Sequence, residues 1–158
     1  MTQHWIVVGG PEVFETTRQL GFTRHGFKST RRLMANSIVP GDLLAFYVTG
    51  RKQFAAIARV TTPVVEERTR IWTNTKKPEE LYPYRAGIEP VVVLPQEQWL
   101  DAEPYHDRFQ WTQRWPRAHW TLAYQGNLHS VPEADFALLE SDMRAAAANA
   151  AAAAGSPR

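Results

Sequence analysis

The side chains in this chain that invite catalysis are His106 beside Asp107, His119 and His129. Catalysis at a metal needs three or four converging ligands, and none of these histidines has the helix-face spacing of an HExxH pair. They read as surface or partly buried structural histidines. The chain contains no cysteine, which excludes disulfides, thiolate nucleophiles and cysteine-ligated zinc or iron–sulfur centres. The GxSxG, P-loop and GxGxxG patterns are absent as well. Asp42 follows Pro40-Gly41 and is expected to order a turn through its backbone. No catalytic residue, metal or cofactor is expected.

The remaining chemistry is non-covalent: rings that stack and cations that hold anions. The formal net charge is only +2, too little for a protein that coats nucleic acid by charge alone. Its distribution says more. Arg18, Arg24, Lys28, Arg31, Arg32, Arg51 and Lys52 are interrupted by one acid, Asp42. If the fold gathers them, they make a basic face; otherwise they are a solvated stretch. Lys76-Lys77 is followed at once by Glu79-Glu80 and reads as a mixed solvated loop. Six Trp, five Tyr and seven Phe are more than stacking needs, so most must fill a core. Trp5, Phe46, Phe54 and Phe136 are assigned there. Tyr47 follows Phe46 in a strand, so the two point to opposite faces. Trp72 sits where a strand yields to a polar loop, a better place for a ligand contact. Trp111, Trp115 and Trp120 either pack on one another or form a second wall.

These residues need a scaffold, and 158 residues are enough for one domain with a real core. "HWIVVGG" reads as a first strand, and Val13, Phe14, Thr17 and Leu20 mark one face of a helix that Gly21 stops. "GFTRHGFKS" reads as a loop, and "TRRLMANS" as a helical turn. Leu43–Val48 and residues 54–60 form the clearest hairpin, with Arg51-Lys52 at its tip. "VVEERTRIW" is expected to be a third strand. "YPYRAGIEPVVVL" is another, interrupted at Pro90 by an edge position or a bulge. "PQEQWL" starts a helical turn, residues 101–119 resist assignment, and "HWTLAY" is expected to close the sheet. Ser130 and Glu133 have capping-box spacing, and Phe136, Leu139 and Met143 recur at helical spacing behind them. The domain is therefore expected over residues 1–144. Residues 145–158, rich in alanine, should prolong the last helix by a turn or two and then fray. With no secretory signal and no long apolar run, the chain is expected to be cytoplasmic and to stay off membranes. The fold class is α+β: a small, mainly antiparallel sheet curled towards a barrel, with helices at its ends.

In this order the pieces resemble the EVE domain, a relative of the YTH, ASCH and PUA-like modules. The resemblance rests on "HWIVVGG", "RHGFKST", "PGDLLAFYVTG", "FAAIARV", "RIW", "YPYR" and "VPEADFALLES" taken as a set, and it spans nearly the whole chain. It implies a PUA-like β-barrel with flanking helices. It also implies a pocket that holds a modified nucleobase, for example a methylated one, and a DNA or RNA partner. Carried over by position, Phe27 would form the pocket wall, and Ser29 with the Gly9 and Gly10 backbone would read the base edge. Tyr47 and Trp72 are candidates for further walls. Arg24, Lys28, Arg31, Arg32, Arg51 and Lys52 would hold phosphates. Related modules usually place Trp in the loop that here offers Phe22 and Phe27, and Phe presents less surface for stacking. The resemblance implies a binding module without catalysis. The alternatives are a pocket for a small nucleoside-like molecule and, by analogy with ASCH relatives alone, a hydrolase of modified nucleosides.

Overall fold

The structure, a computed structural model, describes residues 2–155. The apolar runs "WIVV" and "LLAFYV" become β1 (His4–Gly9) and, after α1 (Pro11–Gln19), β2 (Arg24–Phe27) and α2 (Arg32–Asn36), the strand β3 (Leu43–Val48). β1 and β3 pair in parallel, His4 opposite Leu43 through Gly9 opposite Val48. Both are buried along nearly their whole length, which explains why neither alternates in polarity. β4 (Gln53–Val60) returns antiparallel to β3. There follow β5 (Val65–Glu66), the long β6 (Tyr84–Val93), β7 (Leu100–Asp101), β8 (Leu128–Ser130) and α3 (Glu133–Gly155). The sheet order is β2-β6-β4-β3-β1-β8, with β5 on β6 and β7 on β4. Apart from β1 with β3, every pair is antiparallel.

The sheet curls because β6 serves two neighbours in turn. Its first half pairs with β2 and its second half with β4. Register shifts between Ile57 and Ala58 and between Phe46 and Tyr47 add bends, as bulges do. Pro90 lies inside β6 beside the first of these, opposite Ala58. The result is an open half-barrel. One side of the sheet packs Trp5, Phe14, Phe27, Leu44 and Phe46, and the other packs Ile6, Tyr47, Phe54, Tyr124, Phe136 and Leu139.

Several expectations need correcting. "RHGF" is a strand, β2, and not a loop, its alternation hidden by Gly26. A side chain at Gly26 would meet the Tyr82 carbonyl at 2.6 Å and the Trp72 ring at 2.9 Å. Of "VVEERTRIW" only Val65 and Glu66 pair. The remainder is irregular, tied to β6 by Arg85. "HWTLAY" is not the closing strand but part of a 3-10 segment, Arg117–Tyr124, and β8 closes the sheet instead. Ser130 belongs to β8 opposite Trp5, so α3 begins after it. Residues 101–119 resist a sequence reading because they are mostly short 3-10 turns with no period of their own. α3 buries Phe136, Leu139 and Met143 and continues through the alanines to Gly155. Residues 156–158 of the expected tail lie outside the described residues.

Three polar side chains fix this frame. Asp42 orders its corner through its carboxylate, not its backbone alone. Fully buried, it accepts from the Gln3 amide and side chain at 2.9 Å each, the Val39 amide at 3.0 Å and the Trp5 indole at 3.1 Å. Arg85 is buried in β6 and donates to the Tyr82 carbonyl and Leu81 carbonyl at 3.0 Å, and to the hydroxyl and carbonyl of Thr69. Its guanidinium also lies 5.2 Å from the Trp72 ring. Asn127 bridges the open edge. Its Oδ1 accepts from the Lys28 amide at 2.9 Å, and its Nδ2 donates to the Val8 carbonyl at 2.8 Å.

Candidate functional site

A cleft of about 670 Å³ opens where β1 and β3 end, at Gly9 and Thr49. Its floor is Val8, Val13, Tyr82 and Tyr124. One wall is the turn Gly9-Gly10 and the start of α1, a second is Asn74 to Lys77, and a third is Tyr124, Gln125 and Gly126. Lys28 and Thr49 complete it.

Each wall has a local cause. Gly10 is the N-cap of α1 and supplies no side-chain cap, and Pro11 has no N–H to satisfy. The first helical bond runs from the Phe14 amide to Gly10. The amides of Glu12 and Val13 therefore meet the cleft without helical partners, at the positive end of the helix dipole. The second wall is tethered to the first. Glu12 accepts from the Thr75 amide at 2.6 Å and the Thr75 hydroxyl at 2.9 Å. The Asn74 side chain donates to the Tyr82 hydroxyl at 3.1 Å. Glu80 ties the Lys28 corner down, accepting from the Ser29 amide and hydroxyl and from the Tyr82 amide at 2.8–3.3 Å. Burial raises its pKa, but these bonds and Lys28 outweigh that and leave it lowered. In the third wall Tyr124 is stacked on Tyr47, with ring centroids 4.2 Å apart and planes 7° apart. Gly126 has φ of +80°, and a side chain there would run into the Arg31 guanidinium.

The rim is positive. Lys28 has its pKa lowered by burial first and then by Lys77 and Arg31, with Glu80 opposing them. Lys28, Arg31 and Lys77 thus share one neighbourhood, and Lys76 adjoins it. Among the described residues none of these four has a carboxylate at ion-pair distance, whereas Arg24, Arg59, Arg68 and Arg108 each do.

Of the expected site residues, Gly9, Gly10 and Lys28 come together at the cleft. Phe27 is 0% exposed in the core, edge-on to His25. Trp72 is also fully buried, donating to the Thr17 hydroxyl at 2.9 Å and packing under Val13 and Tyr82. Tyr47 backs Tyr124 and is 3% exposed, and burial pushes its pKa up to about 12. Trp72 and Tyr47 thus lie one side chain behind the lining, under Val13 and Tyr82 and behind Tyr124, whereas Phe27 belongs to the core on the other side of the sheet from Tyr47. Ser29 is exposed, with its amide and hydroxyl engaged by Glu80. Arg24 pairs with Glu67 at 2.9 Å. Arg32 is exposed on α2, and Arg31 lies against Gly126. At the hairpin tip Arg51 sits 5.9 Å from the Trp99 ring, and Lys52 takes φ of +57° in the turn; neither lines the cleft. Sequence reasoning missed Asn74, Lys76, Lys77, Tyr82, Tyr124, Gln125 and Gly126. The one usable signal was "YQGN", a turn pattern after an aromatic, hidden by reading "HWTLAY" as a strand.

Among the described residues no histidine lines the cleft. His25 is buried with Nδ1 2.8 Å from the Thr17 hydroxyl, and burial pushes its pKa down to about 3. His106 is buried against the Trp115 carbonyl, and His119 is exposed. Among the described residues no three His, Asp or Glu side chains are grouped to hold a metal, and no helix is long and apolar enough to cross a membrane.

Comparison with known proteins matches this frame. No curated protein matches the sequence. The YTH domain of mmi1, solved in complex with RNA, superposes with TM-score 0.65 at 7% identity, covering 92% of this chain and 83% of that one. A protein from Leishmania major gives TM-score 0.61 at 13% identity, covering 92% and 97%. Human THYN1, solved with DNA containing 5-methylcytosine, gives TM-score 0.57 at 12% identity, covering 89% and 96%. At such identities the likeness establishes the fold, a PUA-like α+β half-barrel. The family model of the EVE domain matches residues 3–141, and the chain belongs to the EVE-domain family.

Proposed function

We propose that the cleft takes up a single nucleobase, preferentially a modified one such as a methylated base, displaced from a DNA or RNA strand. The observation that carries this reading is the rim: Lys28, Arg31, Lys76 and Lys77, with no carboxylate at ion-pair distance among the described residues, collect around an apolar, aromatic-backed cleft. Its volume of about 670 Å³ is that of a small-molecule pocket. The base meets the exposed edge of Tyr124, a buried ring that Tyr47 supports from behind. The helix amides of Glu12 and Val13 face the acceptor atoms of the base edge, and the lysines meet the strand's phosphates. The complexes of THYN1 with methylated DNA and of mmi1 with RNA support a polynucleotide ligand. We read the module as one that binds its ligand without turning it over, a reading that the EVE family and the RNA-bound and DNA-bound neighbours support.

The test is a fluorescence titration with single- and double-stranded DNA and RNA, with and without methylated bases, at two salt concentrations. Tyr124→Ala is expected to weaken binding of the preferred base by about tenfold or more. Replacing Lys76 and Lys77 by alanine is expected to weaken all sequences alike and to lower the salt slope by up to about 2. Equal affinity for modified and unmodified strands would remove the preference from the proposal. Absence of binding to every strand would remove the proposal itself.

A further inference from the structure

Base capture leaves one group of rings unused. Trp111, Trp115 and Trp120 belong to the 3-10 turns that lead into the third wall of the cleft, and all three are half-buried. Ring contacts join them to that wall. Trp111 meets Tyr124 edge-on with centroids 5.4 Å apart, Trp120 meets Tyr124 edge-on at 6.0 Å, and Trp115 meets Trp111 at 5.9 Å. Two of the three indoles are already covered. His129 stacks on Trp111 with centroids 5.6 Å apart, and the Arg114 guanidinium carbon lies 4.4 Å from the Trp115 centroid. Among the described residues no ring lies parallel to Trp120.

The segment that carries Trp120 has little core to fill. Of the eight residues Arg117–Tyr124 only Ala123 and Tyr124 are buried. Leu122 is 39% exposed, and Thr121 and Gln125 are exposed beside it. An indole held half in water on such a segment can offer its face to a planar ring. The charges nearby point to the kind of ring. Arg117 is engaged by Asp107 at 3.2 Å and Glu103 at 3.6 Å. Arg114 is exposed and, among the described residues, has no carboxylate at ion-pair distance. Apolar ring surface next to an uncommitted guanidinium suits a ligand that carries planar bases on an anionic backbone.

We propose that Trp120 is a stacking platform for the nucleotide next to the captured base, so that the strand leaves the cleft single-stranded over its third wall. The choice of a polynucleotide rests on the base-capture reading; the platform rests on the ring contacts and exposure of this segment. Tyr124 links the two sites, since it lines the cleft and meets Trp120 edge-on. Arg114, held on Trp115, draws the strand's backbone to this side. In an intact duplex the neighbouring base stays paired and stacked on its own helix. The platform therefore favours single strands, loops and ends.

The experiment follows the fluorescence anisotropy of labelled single-stranded pentanucleotides with 5-methylcytosine at the centre and thymine elsewhere. In further strands an abasic spacer replaces the thymine on the 5′ side of the centre, the thymine on its 3′ side, or the central base. Each spacer removes one base and keeps every phosphate. In the wild-type chain one of the two flanking spacers should weaken binding about tenfold, the scale of one aromatic stack. In Trp120→Leu, which keeps apolar bulk against Tyr124, that ratio should fall to about one, while the loss caused by the central spacer is retained. Trp120→Phe, which keeps a ring, should retain most of the flanking ratio. Wild-type binding that ignores both flanking spacers, or a ratio that survives Trp120→Leu, would overturn the platform. A central spacer without effect, with the flanking ratio still lost in Trp120→Leu, would keep the platform and remove base capture. Absence of binding to every pentanucleotide would overturn both.

Discussion

Gly26 is where the frame of the cleft can be tested by a single methyl group. The Cβ of Gly26→Ala would fall 2.6 Å from the Tyr82 carbonyl oxygen and 2.9 Å from two carbons of the Trp72 ring. The carbonyl is backbone, held by the Arg85 guanidinium at 3.0 Å, so it cannot swing aside. The ring is fully buried and fixed by its bond to Thr17. Forcing a methyl group into such a site costs about 1–3 kcal/mol. Pulling the indole off Thr17 costs about 1 kcal/mol more. The sum, about 3 kcal/mol, lowers the melting temperature of a domain this size by roughly 6–12 °C. Because Trp72 lies beneath Val13 and Tyr82, the floor should shift and ligand affinity should fall with it. Gly10→Ala is the control. Its Cβ meets nothing closer than the Thr49 hydroxyl at 3.8 Å, and the cost should stay below about 1 kcal/mol. Thermal and urea denaturation of the two variants make the comparison. A Gly26→Ala protein that melts within about 2 °C of wild type would refute the claim that β2, Trp72 and Tyr82 are locked on that glycine.

Other substitutions probe the remaining clamps. Asp42→Ala should destabilise by roughly 3 kcal/mol or more in urea titrations, since it leaves the buried Trp5 indole and the Gln3 and Val39 amides without their acceptor. The buried Tyr124 hydroxyl has no partner among the described residues, whereas that of Tyr105 donates to Asp142 at 2.6 Å. Tyr124→Phe should therefore be neutral or mildly stabilising, and Tyr105→Phe should cost about 1–2 kcal/mol in the same assay. His25, with its pKa pushed down to about 3, is neutral in the fold and takes a proton more readily when unfolded. Its contribution is full above about pH 6.5 and is lost as pH falls towards 3, about 2 kcal/mol by pH 5. Unfolding free energies at pH 7 and pH 5 should converge in a His25→Gln background.

Periodicity made α1 and the core face of α3 legible in the sequence, because each buries one continuous side, Val13, Phe14 and Thr17 or Phe136, Leu139 and Met143. The central hairpin was legible as two short apolar runs about a polar turn. β2 was hidden because glycine stands where its pattern needed a side chain, for a reason that lies more than forty residues away at Trp72. The segment holding Tyr124 was misread because a 3-10 turn rich in aromatics carries the composition of a strand. The site followed the same logic. Gly9, Gly10 and Lys28 sit next to β1 and β2 and could be placed by chain order. Phe27, Tyr47 and Trp72 fall in three separate parts of the core, since an aromatic residue's type does not say whether its ring lines a cavity or fills the interior. Lys76 and Lys77 acquire their setting from Glu80 turning inward and from Glu12 gripping Thr75, contacts that no local pattern announces.

Asn127 carries a consequence for how the molecule assembles. It joins positions 119 residues apart at Val8 and 99 apart at Lys28. Loops that long close late and slowly, after the local hairpins have formed. The third wall of the cleft is therefore expected to join the first only when Asn127 docks. A ligand lying between Gly10 and Tyr124 would act as a clasp across that last joint. It would stabilise the folded chain in proportion to the logarithm of its concentration and slow unfolding from the seam outward.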